Sequence, residues 1–134
     1  MALRWDSLVV DCGDPEKLAR WWANVLGWRV VLDTDEEVVI APEHATGSGP
    51  MSATEWRTLG PVIVFGVGVD EKQVKNRLHI DLAPHLSDDR DAEIARLLEL
   101  GATHVDIGQT EDLPWTVLAD PEGNEFCVLS ARER

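Results

Sequence analysis

Residues 77–82 alternate strictly. Leu78, Ile80 and Leu82 fall on one side of an extended segment, and Arg77, His79 and Asp81 fall on the other. The pattern predicts a strand with one apolar and one ionisable face. Near the start, "LRWDSLVVDCGDPEKLARWWANVLGWRVV" reads as strand, turn, helix and strand. Asp14 followed by Pro15 is a helix cap with proline at the first helical position. Leu18, Trp21, Trp22, Val25 and Leu26 then recur at helical spacing, and Gly27 ends the helix.

The same order returns in "RLHIDLAPHLSDDRDAEIARLLELGATHVDI". A strand is followed by a polar cap region at Ser87–Asp91. A helix then places Ile94, Leu97, Leu98 and Leu100 on its buried side and closes at Gly101. Twenty residues separate Ser7 from Gly27 and twenty-two separate His79 from Gly101, so Ser7 and His79 are counterparts. The first copy continues with "EEVVIAP" and "PVIVFGVGV", and the second with "WTVLAD" and "EFCVLSA". Each copy therefore predicts a βαβββ module. A single helix covers one face of such a sheet, and the other face needs a partner. The expected fold is α+β, with two tandem βαβββ modules pairing into a curved mixed sheet around a cleft. The polar face carrying His79 is expected to line that cleft.

With 134 residues the chain is the size of one domain, residues 1–134. Module one spans about 1–70, a linker of mixed charge about 70–76, and module two about 77–134. The formal charge of −13 argues against nucleic acid as a partner and is suited to a cationic small molecule. No run is long enough to span a bilayer and the start does not read as a signal peptide, so no membrane partner and a cytoplasmic location are expected. Cys12 and Cys127 lie in apolar strand-like runs and read as buried free thiols.

Six tryptophans stand against two phenylalanines and no tyrosine. Trp5, two residues before Ser7, shares its side. Trp115 begins a strand, and Trp56 lies in the segment "APEHATGSGPMSATEWRTLG". That segment reads as a long loop with Met51 and Trp56 embedded, poised as a lid, with His44 at its start. Trp5, Ser7, Trp56, His79, Trp115 and Glu125 form the expected ligand-binding set: aromatic walls with a few polar groups. The turn Asp120-Pro121-Glu122-Gly123-Asn124 aims Glu125. No Ser/His/Asp set, phosphate-cradling glycine loop or Cys-x-x-Cys pair is present, which excludes the corresponding covalent and nucleotide chemistry.

"DPEKLARWWANVLGW", "VKNRLHIDL", "ARLLELGATHV" and "DPEGNEFCVL" together resemble the vicinal oxygen chelate superfamily, in its glyoxalase-like branch that includes bleomycin-resistance proteins. The resemblance covers essentially the whole chain. In metal-using relatives four positions supply ligands, and the repeat carries these onto Ser7, Val62, His79 and Glu125. Only His79 and Glu125 are metal-ligand types. Two ligands fall short of the three that catalytic zinc takes, unless a neighbour such as Asp6, Asp11, Asp81 or His44 joins them. Asp11 and Asp81 share strand-face parity with Ser7 and His79, which makes them nearer candidates than Asp6.

The resemblance implies two classes of function. In the first, the chain is a binding protein of the drug-sequestration or antibiotic-resistance type. It holds an apolar or aromatic, cationic ligand in a Trp-lined cleft, without a cofactor, as a homodimer. In the second, it is a lyase or isomerase of the glyoxalase type. There His79 and Glu125 are catalytic, moving a proton beside a carbonyl, with or without a divalent metal. Binding is the preferred reading.

Overall fold

The first helix, α1 (Pro15–Leu26), starts and stops where its punctuation residues stand. The Asp14 carboxylate accepts a hydrogen bond from the Lys17 amide, Pro15 occupies the first turn, and Gly27 closes the helix with φ 67°. Leu18, Ala19, Trp21, Trp22, Ala23 and Val25 are buried. Both members of the adjacent tryptophan pair are inside. Their rings meet edge to face, with centroids 5.1 Å apart and planes at 84°, so each ring forms a wall for the other.

This computed structural model describes residues 4–45, 49–68, 70–106 and 113–133. The chain forms two compact units, 1–71 and 72–134. In the first, β1 (Ser7–Cys12), β2 (Arg29–Asp33), β3 (Glu37–Ala41) and β4 (Val62–Val67) form a sheet in the order β1-β4-β3-β2. In the second, β5 (Ile80–Leu82), β6 (Thr103–His104), β7 (Thr116–Ala119) and β8 (Glu125–Val128) form a sheet in the order β5-β8-β7-β6. In each sheet the first strand runs parallel to the last and the other pairs are antiparallel. The internal repeat is thus a repeat of topology. Among the described residues the chain is α+β, as expected.

In the first unit α1 packs against β3 and β4. Leu18, Val38, Ile40, Ile63 and Phe65 make up the core on that side. In the second, α3 (Arg90–Glu99) is capped by Asp89, whose carboxylate accepts from the Asp91 and Ala92 amides. The Arg90 guanidinium donates to the Val128 and Leu129 carbonyls and to Thr116 Oγ1, tying the start of α3 to the ends of β7 and β8.

Three local expectations need correction. Leu78 is 83% exposed, and the strand begins only at Ile80, so the alternating pattern extends further than the ladder does. Of the residues expected on the buried side of α3, only Leu97 is fully buried. Ile94 and Leu98 are half-buried and Leu100 is exposed, which leaves this helix less deeply seated than α1. The expected lid segment is not a plain loop. It holds a 3-10 turn (Glu43–Ala45) and a short helix, α2 (Ala53–Thr58), with residues 46–48 outside the described residues. Ile107, in the second "THVDI" run, also lies outside them. No described helix is long and apolar enough to cross a membrane.

Candidate functional site

In the first unit, register decides what the side of the sheet away from the core presents. Val9 pairs with Val64, Val64 with Val39 and Val39 with Leu32, which sets four apolar side chains in one cross-strand row. Val9 is 58% exposed and Leu32 is exposed as well. Two residues further along, Asp11 pairs with Gly66 and Gly66 with Glu37. Two carboxylates therefore flank a glycine, and no side chain stands between them. The face runs from apolar to acidic, and only the pairing makes that visible.

Aromatic groups stand at the edge of this unit. Trp5 is 66% exposed, and its indole N–H donates to the Ser7 carbonyl at 3.0 Å. Trp56, on α2, is 39% exposed and carries the Arg4 guanidinium 4.6 Å above its ring. Arg4 also pairs with Asp6. Met51 is exposed just before α2. Helix α2 starts with a capping box: Ser52 Oγ accepts from the Glu55 amide while the Glu55 carboxylate accepts from the Ser52 amide at 2.9 Å. The sequence "SATE" carries that signal, which the loop reading overlooked. Trp115 precedes β7 in the second unit and is partly exposed.

The ionisable face of the second unit has a different arrangement from the one expected. His79 Nε2 lies 3.0 Å from Asp81 Oδ1. Asp81 also accepts a hydrogen bond from the Cys127 thiol, its register partner across β5 and β8. Burial, then the charge of Asp81, then that hydrogen bond push the Cys127 thiol up, and Lys75 opposes them. Glu125 is held elsewhere. Its Oε1 accepts from Lys72 Nζ at 2.8 Å and its Oε2 from the Asn76 amide at 3.0 Å. Partial burial raises the Glu125 carboxyl, but the Lys72 and Asn76 donors outweigh it and hold the group below the usual carboxylate range. His79 and Glu125 thus each have a partner of their own, and Lys72 and Asn76 come from the stretch read as a linker.

The turn before β8 fixes Glu125. Asp120 is 3% exposed, and its Oδ1 accepts from the amides of Glu122 and Asn124, each at 2.9 Å. Asn124 Nδ2 donates to the second oxygen at 3.0 Å, and Gly123 adopts φ 85°. One buried carboxylate organises the whole turn.

The metal positions implied by the resemblance do not fit an ion here. Ser7 and Val62 are register partners in the first sheet, and between them they offer one neutral hydroxyl. In the second unit both Glu125 oxygens are engaged by Lys72 and Asn76. A different trio converges instead: one ligand atom each from His79, Asp81 and Cys127, all within 4.8 Å of one another.

Comparison with known proteins bears on fold and family. Comparison with curated proteins gives no match. Among solved structures, the chain is similar to a glyoxalase/bleomycin resistance protein/dioxygenase family enzyme from Burkholderia phytofirmans PsJN, with a TM-score of 0.69 at 12% identity over 96% of this chain and 99% of that one. It is also similar to TnmS3, an antibiotic binding protein from Streptomyces sp. CB03234, with a TM-score of 0.59 at 20% identity over 98% of both chains. Oxidase ChaP-H2 gives 0.60 at 18% identity over 97% of this chain and 94% of that one. At these identities the likeness is one of fold. The profile of the glyoxalase-like domain matches residues 7–129, and the chain belongs to that family.

Proposed function

We propose that this protein binds a planar, apolar, cationic small molecule and sequesters it rather than transforming it. The observation that carries this reading is the cross-strand pairing in the first unit. The apolar row Val9–Val64–Val39–Leu32 lies beside the acidic row Asp11–Gly66–Glu37 on one sheet face. Apolar area drives a flat ligand onto the row, and the carboxylates select for positive charge. Trp5, Ser7 and Trp56 belong to the same unit. Trp56 already stacks beneath a cation, that of Arg4, which is the interaction a cationic ligand would make in its place. The formal charge of −13 raises the local concentration of such a ligand. One structural neighbour is an antibiotic binding protein, which agrees with this use of the fold. The homodimer belongs to the same reading, a second copy closing over the ligand held on the exposed apolar row.

The test is isothermal titration with ethidium, a planar cation, and with a neutral planar aromatic of similar size. Asp11→Asn and Glu37→Gln together are expected to weaken ethidium by about tenfold, equivalent to about 1.4 kcal/mol, and to leave the neutral compound unchanged. Trp56→Ala is expected to weaken both. Equal binding of both compounds by all variants would overturn the reading.

A second reading has its own observation. His79 is oriented by Asp81 at 3.0 Å, the relation a general base has to its orienting carboxylate. In a glyoxalase-type lyase or isomerase His79 would take the proton. Glu125, ionised and held by Lys72, would serve as a fixed charge. Under this reading His79→Ala abolishes turnover while leaving ligand affinity intact; under sequestration no variant changes a turnover rate.

A further inference from the structure

We propose that Arg4 is an autoinhibitory latch on Trp56: it occupies the face of the ring in the free protein and has to leave before a ligand stacks there. The inference rests on the sequestration reading and adds to it a resident competitor built into the chain. The observations that carry it concern one side chain. The Arg4 guanidinium carbon stands 4.6 Å from the centre of the Trp56 ring, within the range of a cation–π contact. The Arg4 side chain is only 11% exposed, so the contact is largely withdrawn from water. Among the described residues nothing accepts a hydrogen bond from its buried Nε–H.

The unmet donor separates a latch from a structural clamp. A buried guanidinium that holds a fold together has its N–H groups paired, because each one left unpaired forfeits the hydrogen bond that water gave it. Arg4 pairs through a terminal nitrogen with Asp6, and that carboxylate is itself 72% exposed. Swinging outward therefore returns Nε to water and keeps Asp6 within reach. The chain need not move with the side chain. The Asp6 carbonyl accepts from the Val62 amide at 3.1 Å, and the Trp5 indole is tied to the Ser7 carbonyl, so the backbone beside Arg4 is fixed to the sheet. Stacking favours the closed position and the unpaired Nε–H opposes it, which sets the two positions close in free energy. Only the open fraction binds. A latch closed for about four-fifths of the time lowers apparent affinity about fivefold for every ligand that needs the ring, whatever its charge.

Proton–nitrogen correlation spectra and isothermal titration of the intact chain test this. In the free protein the Arg4 Nε–H signal is expected upfield of the other arginines, shifted by the indole ring, and Trp56→Ala should abolish that shift. Ethidium should return the signal to the position of an exposed arginine. Arg4→Ala, which lies ahead of β1 and spares the core, should tighten ethidium and the neutral planar aromatic alike, each about fivefold. In a Trp56→Ala background the same substitution should change neither affinity. Tightening of ethidium alone would overturn the proposal, because relief of charge repulsion would account for it. Weaker binding of both compounds by Arg4→Ala would overturn it too, as would an Arg4 signal that stays upfield in the ethidium complex. The latch and the sequestration reading fail in different ways. If neither compound binds the parent or Arg4→Ala, sequestration falls and the latch with it. If Asp11 and Glu37 still select ethidium while Arg4→Ala leaves both affinities unchanged, the latch alone falls.

Discussion

Lys72 Nζ donates to Glu125 Oε1 at 2.8 Å, and the two side chains are only 22% and 10% exposed. Glu125 opens the last strand, and its other oxygen takes the Asn76 amide. A carboxylate this withdrawn from water depends on both donors. Lys72→Met is expected to destabilise the protein by about 1–3 kcal/mol, because it leaves a mostly buried charge without its cationic partner. Glu125→Gln removes the charge along with the ion pair and should cost less. Urea midpoints of the two variants decide the point; a harmless Lys72→Met would mean that solvent already screens the pair.

The tandem module was legible because its punctuation is local. Asp14-Pro15 and Gly27 bound α1 in the sequence and in the structure alike. The two buried thiols were also legible, since each lies in an apolar run. The partner of Glu125 was not. Lys72 is 53 residues away and belongs to a charged stretch that composition describes as a linker. Likewise the parity of His79 and Asp81 could be read from one strand, but bringing Cys127 to them needs the parallel register of β5 on β8. The acidic row of Asp11 and Glu37 is a matter of pairing through Gly66 and has no signature along the chain. Alternation finds faces, and only register finds neighbours.

Asp120 organises the turn that delivers Glu125 to β8, so its loss should exceed that of an ordinary cap. Asp120→Ala removes an acceptor from the Glu122 and Asn124 amides and from the Asn124 side chain. The expected cost is about 2–3 kcal/mol. Asp14→Ala, which strips one cap bond from α1, should cost about 1 kcal/mol. Chemical denaturation of both variants gives the comparison, and equal losses would show that water replaces the Asp120 bonds.

Gly27 separates backbone strain from packing. A Cβ there would meet nothing within 4 Å, yet its φ is 67°. Gly27→Ala should therefore cost about 1–2 kcal/mol from the left-handed backbone alone, and Gly27→Asn less, since asparagine tolerates that region. A thermal melt reads both variants. An alanine variant as stable as the parent would mean that α1 ends differently in solution.

Helix α2 holds Trp56, and its capping box makes that placement sensitive to acid. The Ser52 hydroxyl, then the Ser52 amide, hold the Glu55 carboxyl below its ordinary value, against a smaller opposing effect of burial. A carboxylate with a lowered native pKa contributes stability that is fully present above its unfolded value, about 4.3 for glutamate, and that is lost as pH falls through the native value. A helix of six residues has little else to hold it, so acid should fray α2 while the rest of the first unit stays folded. The Trp56 indole signal in a proton–nitrogen correlation spectrum should shift towards that of a free tryptophan as the pH falls below the unfolded glutamate value of about 4.3 and through the lower native one. Glu55→Gln keeps a neutral acceptor for the Ser52 amide and should flatten this pH dependence. Glu55→Ala should show the frayed signal at every pH. If the Trp56 signal of the parent protein stays constant through that range, the capping box does not govern where the ring sits, and α2 must be held by contacts of Trp56 itself, such as its stacking with Arg4.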